Sequence, residues 1–388
     1  MTEDVVVLGS GYAGTGTVLS LEKRLDGDAD LTWVSDVDHH LVLHEAHRVI
    51  RDPSIRNRIS FPVDRIKSPG TRFVQGRVED VDVDERTDRL ADGSTVDYDY
   101  LVVGFGSRTA FFGIDGLEEH SLTLKSLEDA MEIHDVVKEA AKAASRGDPA
   151  QVVVGGAGLS GIQSAGELAE FRDRHRAPID IHLVEGLDNV FPNNDPVVQA
   201  KLRKLLEARD VNVMTGEFIG EVDEGTVYIG EETELDYDVL LWTGGITGQE
   251  TASNCEVDQD ERSHRINCEC TFRTSDERVF ALGDAALVEQ DENVAPPTAQ
   301  AAWQAAEVAG ENVARAIRGQ PMKEWTHEDK GTVISVGDEA VAHDVVGLRN
   351  VMETFGGPAA ETLKRSIAAR WINTVAGPVA AARAFPDM

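Results

Sequence analysis

Two copies of one short pattern constrain this chain more than anything else in it. Gly9-x-Gly11-x-x-Gly14 follows the apolar run Val5 to Leu8, and Gly156-x-Gly158-x-x-Gly161 follows Val152 to Val154. Each opens a segment with apolar residues at helical spacing, so both predict strand, tight turn and helix. The first glycine permits the turn, the second lets backbone approach a pyrophosphate, and the third lets helix pack on strand. The helix N-terminus adds free N–H groups and about half a positive charge. In each copy the next strand ends on an acid, Asp36 in one and Glu185 in the other. A carboxylate there accepts the hydroxyls of an adenosine ribose. Asp38 lies close enough that the choice between it and Asp36 stays open. Two dinucleotides are expected. With no Arg or Lys between Glu185 and Pro192, a 2′-phosphate would meet only like charge, which favours NADH over NADPH.

A third element assigns the first loop. "VFALGDAA" predicts a strand from Val279 to Leu282 that delivers Gly283 and Asp284, where glycine allows close approach and the acid can accept a ribitol hydroxyl of a flavin. Just beyond it, "PPTAQAAWQAAEVAG" predicts an Ala-rich helix with Gln300 and Gln304 on one face.

Composition narrows the classes. A chain of 388 residues predicts two or three domains. Its formal net charge of −33 would repel phosphate, which excludes nucleic acid as a partner. The acid excess is spread along the whole chain, as in a protein kept soluble in concentrated salt, where the Debye length falls to roughly 3 Å. A halophilic source is expected. The 3 cysteines, Cys255, Cys268 and Cys270, form no disulfide framework, and a reducing compartment fits them. No signal peptide and no run of about 18 apolar residues is evident, so any membrane contact is expected to be peripheral.

Together these residues resemble the two-dinucleotide-binding-domain flavoproteins, from Val5 to about Gly319. The resemblance implies an α/β fold of two Rossmann-like, three-layer domains, with an NADH domain inserted into a discontinuous FAD domain. It places FAD on 1–112 and 252–322, NADH on 113–251, and a small α+β cap on 323–388. "DGSTVDYDYLVVGFGS" is similar to the strand that returns to the flavin domain, with Gly104-Phe105-Gly106 in place of the usual Ala-Thr-Gly. Thr243-Gly244-Gly245 is similar to the exit from the NADH domain.

Disulfide reductases of this superfamily carry a redox cysteine pair, and sulfide:quinone oxidoreductases need well-separated cysteines. Here no Cys precedes Cys255, and Cys268 and Cys270 are expected on one strand face, as partly buried thiols rather than a metal site. What remains resembles the type II NADH dehydrogenases, whose Ala-Gln-x-Ala-x-Gln motif is associated with a quinone site. Ala299-Gln300-Ala301-Ala302-Trp303-Gln304 matches it. The resemblance implies FAD held by Gly9, Gly11, Gly14, Asp36, Gly106, Gly283, Asp284 and Ala299. It implies NADH on Gly156, Gly158, Gly161, Glu185, Gly244 and Gly245, and quinone beside Gln300 and Gln304.

Three departures qualify this. Gln163 stands where the family usually has Glu, with Glu167 matching its second acid; an amide positions a ring but relays no proton. His39, His40, His44 and His47 invite a metal reading that their spacing does not support, and His44 or His47 could instead supply protons to a quinone. "AETLKRSIAARWINTVAGPVAAARAF" predicts an amphipathic helix bearing Leu363, Ile367, Trp371, Ile372 and Val375, with Lys364 snorkelling from the apolar arc. It is expected to anchor the chain on the cytoplasmic face of the cell membrane or to form an interface, with a homodimer as the assembly. The expected activity is electron transfer from NADH to a quinone without proton pumping. The alternatives are a soluble NADH-dependent reductase of a ferredoxin-like acceptor, or a redox sensor with little turnover.

Overall fold

The computed structural model describes residues 2–291, 293–348 and 353–388. In chain order the elements used below are β1 (Glu3–Leu8), α1 (Tyr12–Glu22), β2 (Ala29–Ser35), β3 (Arg72–Gln75), β4 (Tyr100–Val103), α2 (Leu127–Ala143), β5 (Ala150–Gly155), α3 (Leu159–His175) and β6 (Ile179–Glu185). They continue with β7 (Val211–Thr215), β8 (Val239–Trp242), β9 (Val279–Ala281), α4 (Ala299–Ile317), β10 (Thr332–Val336), β11 (Glu339–His343), β12 (Thr354–Gly356) and α5 (Pro358–Ala384).

The chain divides into two compact units, each assembled from separated segments. Unit 1 holds 1–42, 60–108 and 246–329; unit 2 holds 43–59, 109–245 and 330–388. These boundaries differ from those expected, because 43–59 and the whole C-terminal region group with unit 2. The reason is apolar. Ile50, Ile334, Val336 and Val341 pack into the same buried cluster as Val152, Val154 and Leu168.

Unit 1 is built on a five-stranded sheet in the order β9-β4-β1-β2-β3, with every pairing parallel. Val5, Val6, Val7 and Leu8 are all buried, as a parallel strand covered on both faces requires. Unit 2 repeats the plan in four parallel strands, ordered β7-β6-β5-β8. Val5 of β1 pairs with Leu31 and Tyr100, and Val152 of β5 pairs with Ile181 and Val239. In both units the first strand therefore lies inside the sheet, and the loop that follows it emerges at the carboxyl edge where such sheets bind ligands. The C-terminal region of unit 2 adds an antiparallel sheet, β10-β11-β12, and α5.

Candidate functional site

The two glycine loops are built alike. A Cβ on Gly14 would stand 1.9 Å from the Gly9 carbonyl oxygen, and one on Gly161 would stand 1.8 Å from that of Gly156, so neither helix could start where it does with a side chain there. Gly9 and Gly156 have φ of 96° and 91°. Each also faces the small-residue joint of its own unit. A Cβ on Gly9 would meet the Gly104 carbonyl oxygen at 2.6 Å, and one on Gly156 would meet the Gly244 Cα at 2.7 Å. Thr243 Oγ1 adds hydrogen bonds to the Gly155 and Gly156 carbonyls, both 2.9 Å.

Gly11 and Gly158, the N-caps, differ in the way a ligand site requires. No atom lies within 4 Å of where their Cβ would be, no side chain caps either helix, and no acid occupies either first turn. The backbone N–H groups of each first helical turn are thus presented to an anion with no acid in that turn competing. The residues fit a pyrophosphate in both loops.

In unit 1, Trp33 Nε1 donates to the Gly9 carbonyl at 2.8 Å, and His40 Nδ1 lies 2.7 Å from the Ser10 carbonyl oxygen. His40 is buried against Tyr12, edge to face at 5.4 Å, so it braces the loop. Asp36 and Asp38 stand exposed just beyond β2. Gly283 turns with φ of 69°, and Ser107 Oγ donates to Asp284 Oδ2 at 3.3 Å. Gly106 has φ of 75° and open space around its missing Cβ, which fits close passage of a cofactor. In unit 2, Glu185 is buried at the end of β6, accepting from the Ala157 N–H at 2.7 Å and the Leu187 N–H at 3.0 Å. Gly244 and Gly245 lie under the Trp242 and Phe112 rings, which a Cβ would strike at 2.2 and 2.6 Å.

Ala299 opens α4, capped by Thr298 Oγ1, which accepts from the Ala301 N–H at 3.1 Å. Gln300 and Gln304 share a face, and Gln304 Nε2 donates to Gln300 Oε1 at 3.4 Å. The same amide grips the backbone of Glu328, donating to its carbonyl at 2.9 Å and accepting from its N–H at 3.1 Å. Gln304 thereby pins the segment that follows α4.

Gln163 is buried on α3, with Nε2 donating to Ser335 Oγ at 3.3 Å. Around it lies a buried charged cluster that sequence reasoning missed. Lys364 Nζ donates to the same Ser335 Oγ at 2.9 Å and lies 3.8 Å from Glu45. Arg48 pairs with Glu45 at 2.5 Å, and Glu167 sits between Arg51 at 3.0 Å and Arg48 at 3.7 Å. Burial raises both carboxyls. For Glu45, Lys364 and Arg48 overcome it and hold the group at about 2, whereas Glu167 stays raised. Burial likewise lowers Lys364 to about 8. Lys364 was expected to snorkel to the surface; instead it is buried, held between Glu45 and Ser335. The only local signal was the alternation of charge and apolar residues in "LHEAHRVIR".

His44 and His47 were expected as possible proton donors. Burial lowers His44 to about 4, against the opposing pull of Glu45, and lowers His47 well below its usual range, with Lys364 and Arg48 adding to the effect, which disfavours the charged form of both rings. Among the described residues no group of His, Cys, Asp and Glu could hold a metal. The strand carrying Cys268 ends at that residue, so Cys270 does not share it; Cys268 is buried, and burial raises its thiol.

Residues 3–306 match the family described as pyridine nucleotide-disulphide oxidoreductase. The chain belongs to that family. Membership makes it an oxidoreductase, and FAD and NADH as cofactors agree with the family and with the two loops. The chain is similar to the type II NADH:quinone oxidoreductase of Staphylococcus aureus, 28% identical over 381 residues that cover 92% of this chain and 90% of that one. Among solved structures it is similar to NDH2 from Plasmodium falciparum in complex with NADH, with TM-score 0.83, 16% identity and coverage of 100% and 98%. It is also similar to the sulfide:quinone oxidoreductase of Aquifex aeolicus, with TM-score 0.81, 19% identity and coverage of 97% and 92%. The structural likenesses show the family fold and leave the acceptor to the site residues.

Proposed function

We propose that this oxidoreductase passes electrons from NADH to a membrane quinone, without proton pumping. The observation that carries the reading is the combination on this chain of two open glycine loops, each with an acid at or just beyond the end of the next strand, and the amide-bearing helix α4 after the Gly283-Asp284 turn. Similarity to type II NADH:quinone oxidoreductases supports it. FAD, when bound, supplies the two-electron chemistry. Unit 1 would hold it through the N–H groups after Gly11, the Asp36 carboxylate and Asp284. Unit 2 would hold NADH through the N–H groups after Gly158 and the ribose through Glu185, whose buried negative charge disfavours a 2′-phosphate. Gln300 and Gln304 would lie beside the quinone, with Gln300 positioning it by hydrogen bonding and Ala299 beside the flavin.

A homodimer attached peripherally to the cytoplasmic face of the membrane completes the proposal. Ile367 and Val379, 41% and 63% exposed on α5, support lipid or partner contact. Trp371, Ile372 and Val375, which were expected on that contact face, are buried within unit 2. Among the described residues no helix is long and apolar enough to cross a membrane.

One observation favours a second reading, a reductase of a small acceptor protein: the Gln304 amide is fully engaged with Gln300 and Glu328. An anaerobic experiment decides. NADH added to the FAD-loaded protein bleaches the flavin absorbance, and a short-chain quinone restores it within the turnover time. Bleaching that only a ferredoxin-like acceptor reverses replaces the quinone reading with the second one. Absence of bleaching leaves a sensor.

A further inference from the structure

Phe218 is 66% exposed, and what its ring covers sets it apart from an incidental surface apolar residue. The chain holds it in place firmly. The strand Ile219–Val222 begins at the next residue, and Ile219 is buried in one apolar cluster with Val184 of β6 and Trp242 of β8. The Phe218 carbonyl accepts from the Gly230 N–H at 2.9 Å. Two residues earlier, Gly216 turns with φ of 95°, and its N–H reaches the Glu185 and Leu187 carbonyls, both at 3.0 Å. The ring is thereby set down on Gly186. A Cβ there would stand 2.2 Å from Phe218 Cδ1 and 2.3 Å from Cε1, so the ring rests on bare backbone while the rest of it faces solvent.

Gly186 directly follows the acid expected to hold an adenosine ribose. Glu185 turns its two oxygens to the Ala157 and Leu187 N–H groups, and each oxygen keeps a lone pair for a ribose hydroxyl. The base leaves a ribose at the carbon next to the 2′-hydroxyl. A ribose at Glu185 therefore carries its adenine to the edge where Phe218 and the 41% exposed Leu187 stand. An adenine has π-faces to stack on a ring. Charge selects the same occupant: Asp188 and Glu217, which flank these two residues in the chain, are exposed acids that repel a phosphate or an anionic headgroup and tolerate an uncharged base.

We propose that Phe218 is the stacking platform for the adenine of NADH, with Leu187 beside it and Gly186 as the floor that lets the ring lie flat. The inference rests on the reading of unit 2 as the NADH unit and names what sets affinity there. The glycine loop and Glu185 recognise pyrophosphate and ribose; Phe218 recognises the base. Salt screens contacts to phosphate but not a stacked ring, so the platform keeps its strength in concentrated salt. The adenine lies at the opposite end of the dinucleotide from the nicotinamide, so Phe218 acts on capture of NADH and not on hydride transfer.

Rapid-mixing measurement of flavin bleaching in the FAD-loaded full chain tests it, with NADH as one donor and reduced nicotinamide mononucleotide, which lacks the adenosine, as the other. Phe218→Ala should weaken NADH about tenfold, the loss that removing one base–aromatic stack produces, with the limiting bleaching rate unchanged. Phe218→Trp should restore the affinity. Gly186→Ala keeps the ring but pushes it off its floor, so it should weaken NADH as much, and the two substitutions together no further, since they remove one contact. The reduced mononucleotide should bleach wild type and variants alike, which also reports that they fold. Loss of both donors together would overturn the proposal by making Phe218 a structural residue, and equal NADH affinity in wild type and Phe218→Ala would overturn it outright. A weakening that tracks dissociation of an oligomer in sedimentation would overturn it in favour of a second copy covering the ring. The electron-transfer reading fails separately: bleached flavin that no quinone reoxidises strikes that reading and leaves the assignment of Phe218 standing.

Discussion

Asp88 shows how much a single buried residue can decide. It lies in the strand Thr87–Leu90 of unit 1, fully buried, and neither carboxyl oxygen has a hydrogen-bond partner. Burial raises its pKa well above the usual carboxylate range. The folded state therefore holds a proton that the unfolded chain releases, and the stability this group permits is complete below the unfolded pKa and falls as pH rises toward the folded one. Asp88→Asn should raise the thermal midpoint at pH 7 by a few degrees and change it little near pH 3. A midpoint difference that is independent of pH would show the carboxyl to be ionised in place. The residue scale is also where the sequence was least legible. Asp88 reads as one of many surface acids, His40 as a ligand candidate and Lys364 as a snorkelling cation. Each differs from its reading because the atoms around it come from elsewhere in the chain.

At the scale of elements, the strand–loop–helix units were legible almost in full. β1, β5 and β9 lie where the apolar runs placed them, and α1, α3 and α4 start where the glycines or Thr298 dictate. Their determinants are contiguous in sequence, so local reading suffices. The loop glycines make distinct predictions. Gly161→Ala should leave unit 2 unable to close its loop, so soluble expression or NADH binding is lost, because the added methyl overlaps Gly156. Gly158→Ala should fold, since the methyl has space, but raise the KM for NADH about tenfold or more by standing where backbone meets phosphate. Equal effects would mean that the cradle works otherwise. Helix α5 was legible as helical, but not in its break at Gly377, which has φ of 82° just before Pro378, nor in its facing. Trp371 is 1% exposed while Ile367 is 41% exposed, so Trp371→Ala should cost about 3–5 kcal/mol by denaturant unfolding, and Ile367→Ala under about 1 kcal/mol. If α5 served only as a membrane anchor, both substitutions would leave stability unchanged.

At the scale of the whole molecule, the formal net charge of −33 sets the conditions under which the chain is stable. Like charges at this density repel, and molar salt screens them. The thermal midpoint should climb as KCl rises from about 0.1 M to about 2 M, most steeply at the low end where the Debye length changes fastest. A flat profile would refute the expectation of a chain suited to concentrated salt. By itself the sequence determined two glycine loops between strand and helix, an acid near the end of each following strand, the Gly283-Asp284 turn and the absence of early cysteines, because each is a short pattern that is read locally. The tertiary structure alone decided that 43–59 and 330–388 join unit 2, and that Gln163, His47 and Lys364 meet at Ser335. His47 and Ser335 are 288 positions apart. No local pattern announces such a meeting, since packing chooses partners by proximity in the folded core, where an unpaired charge would cost too much to keep.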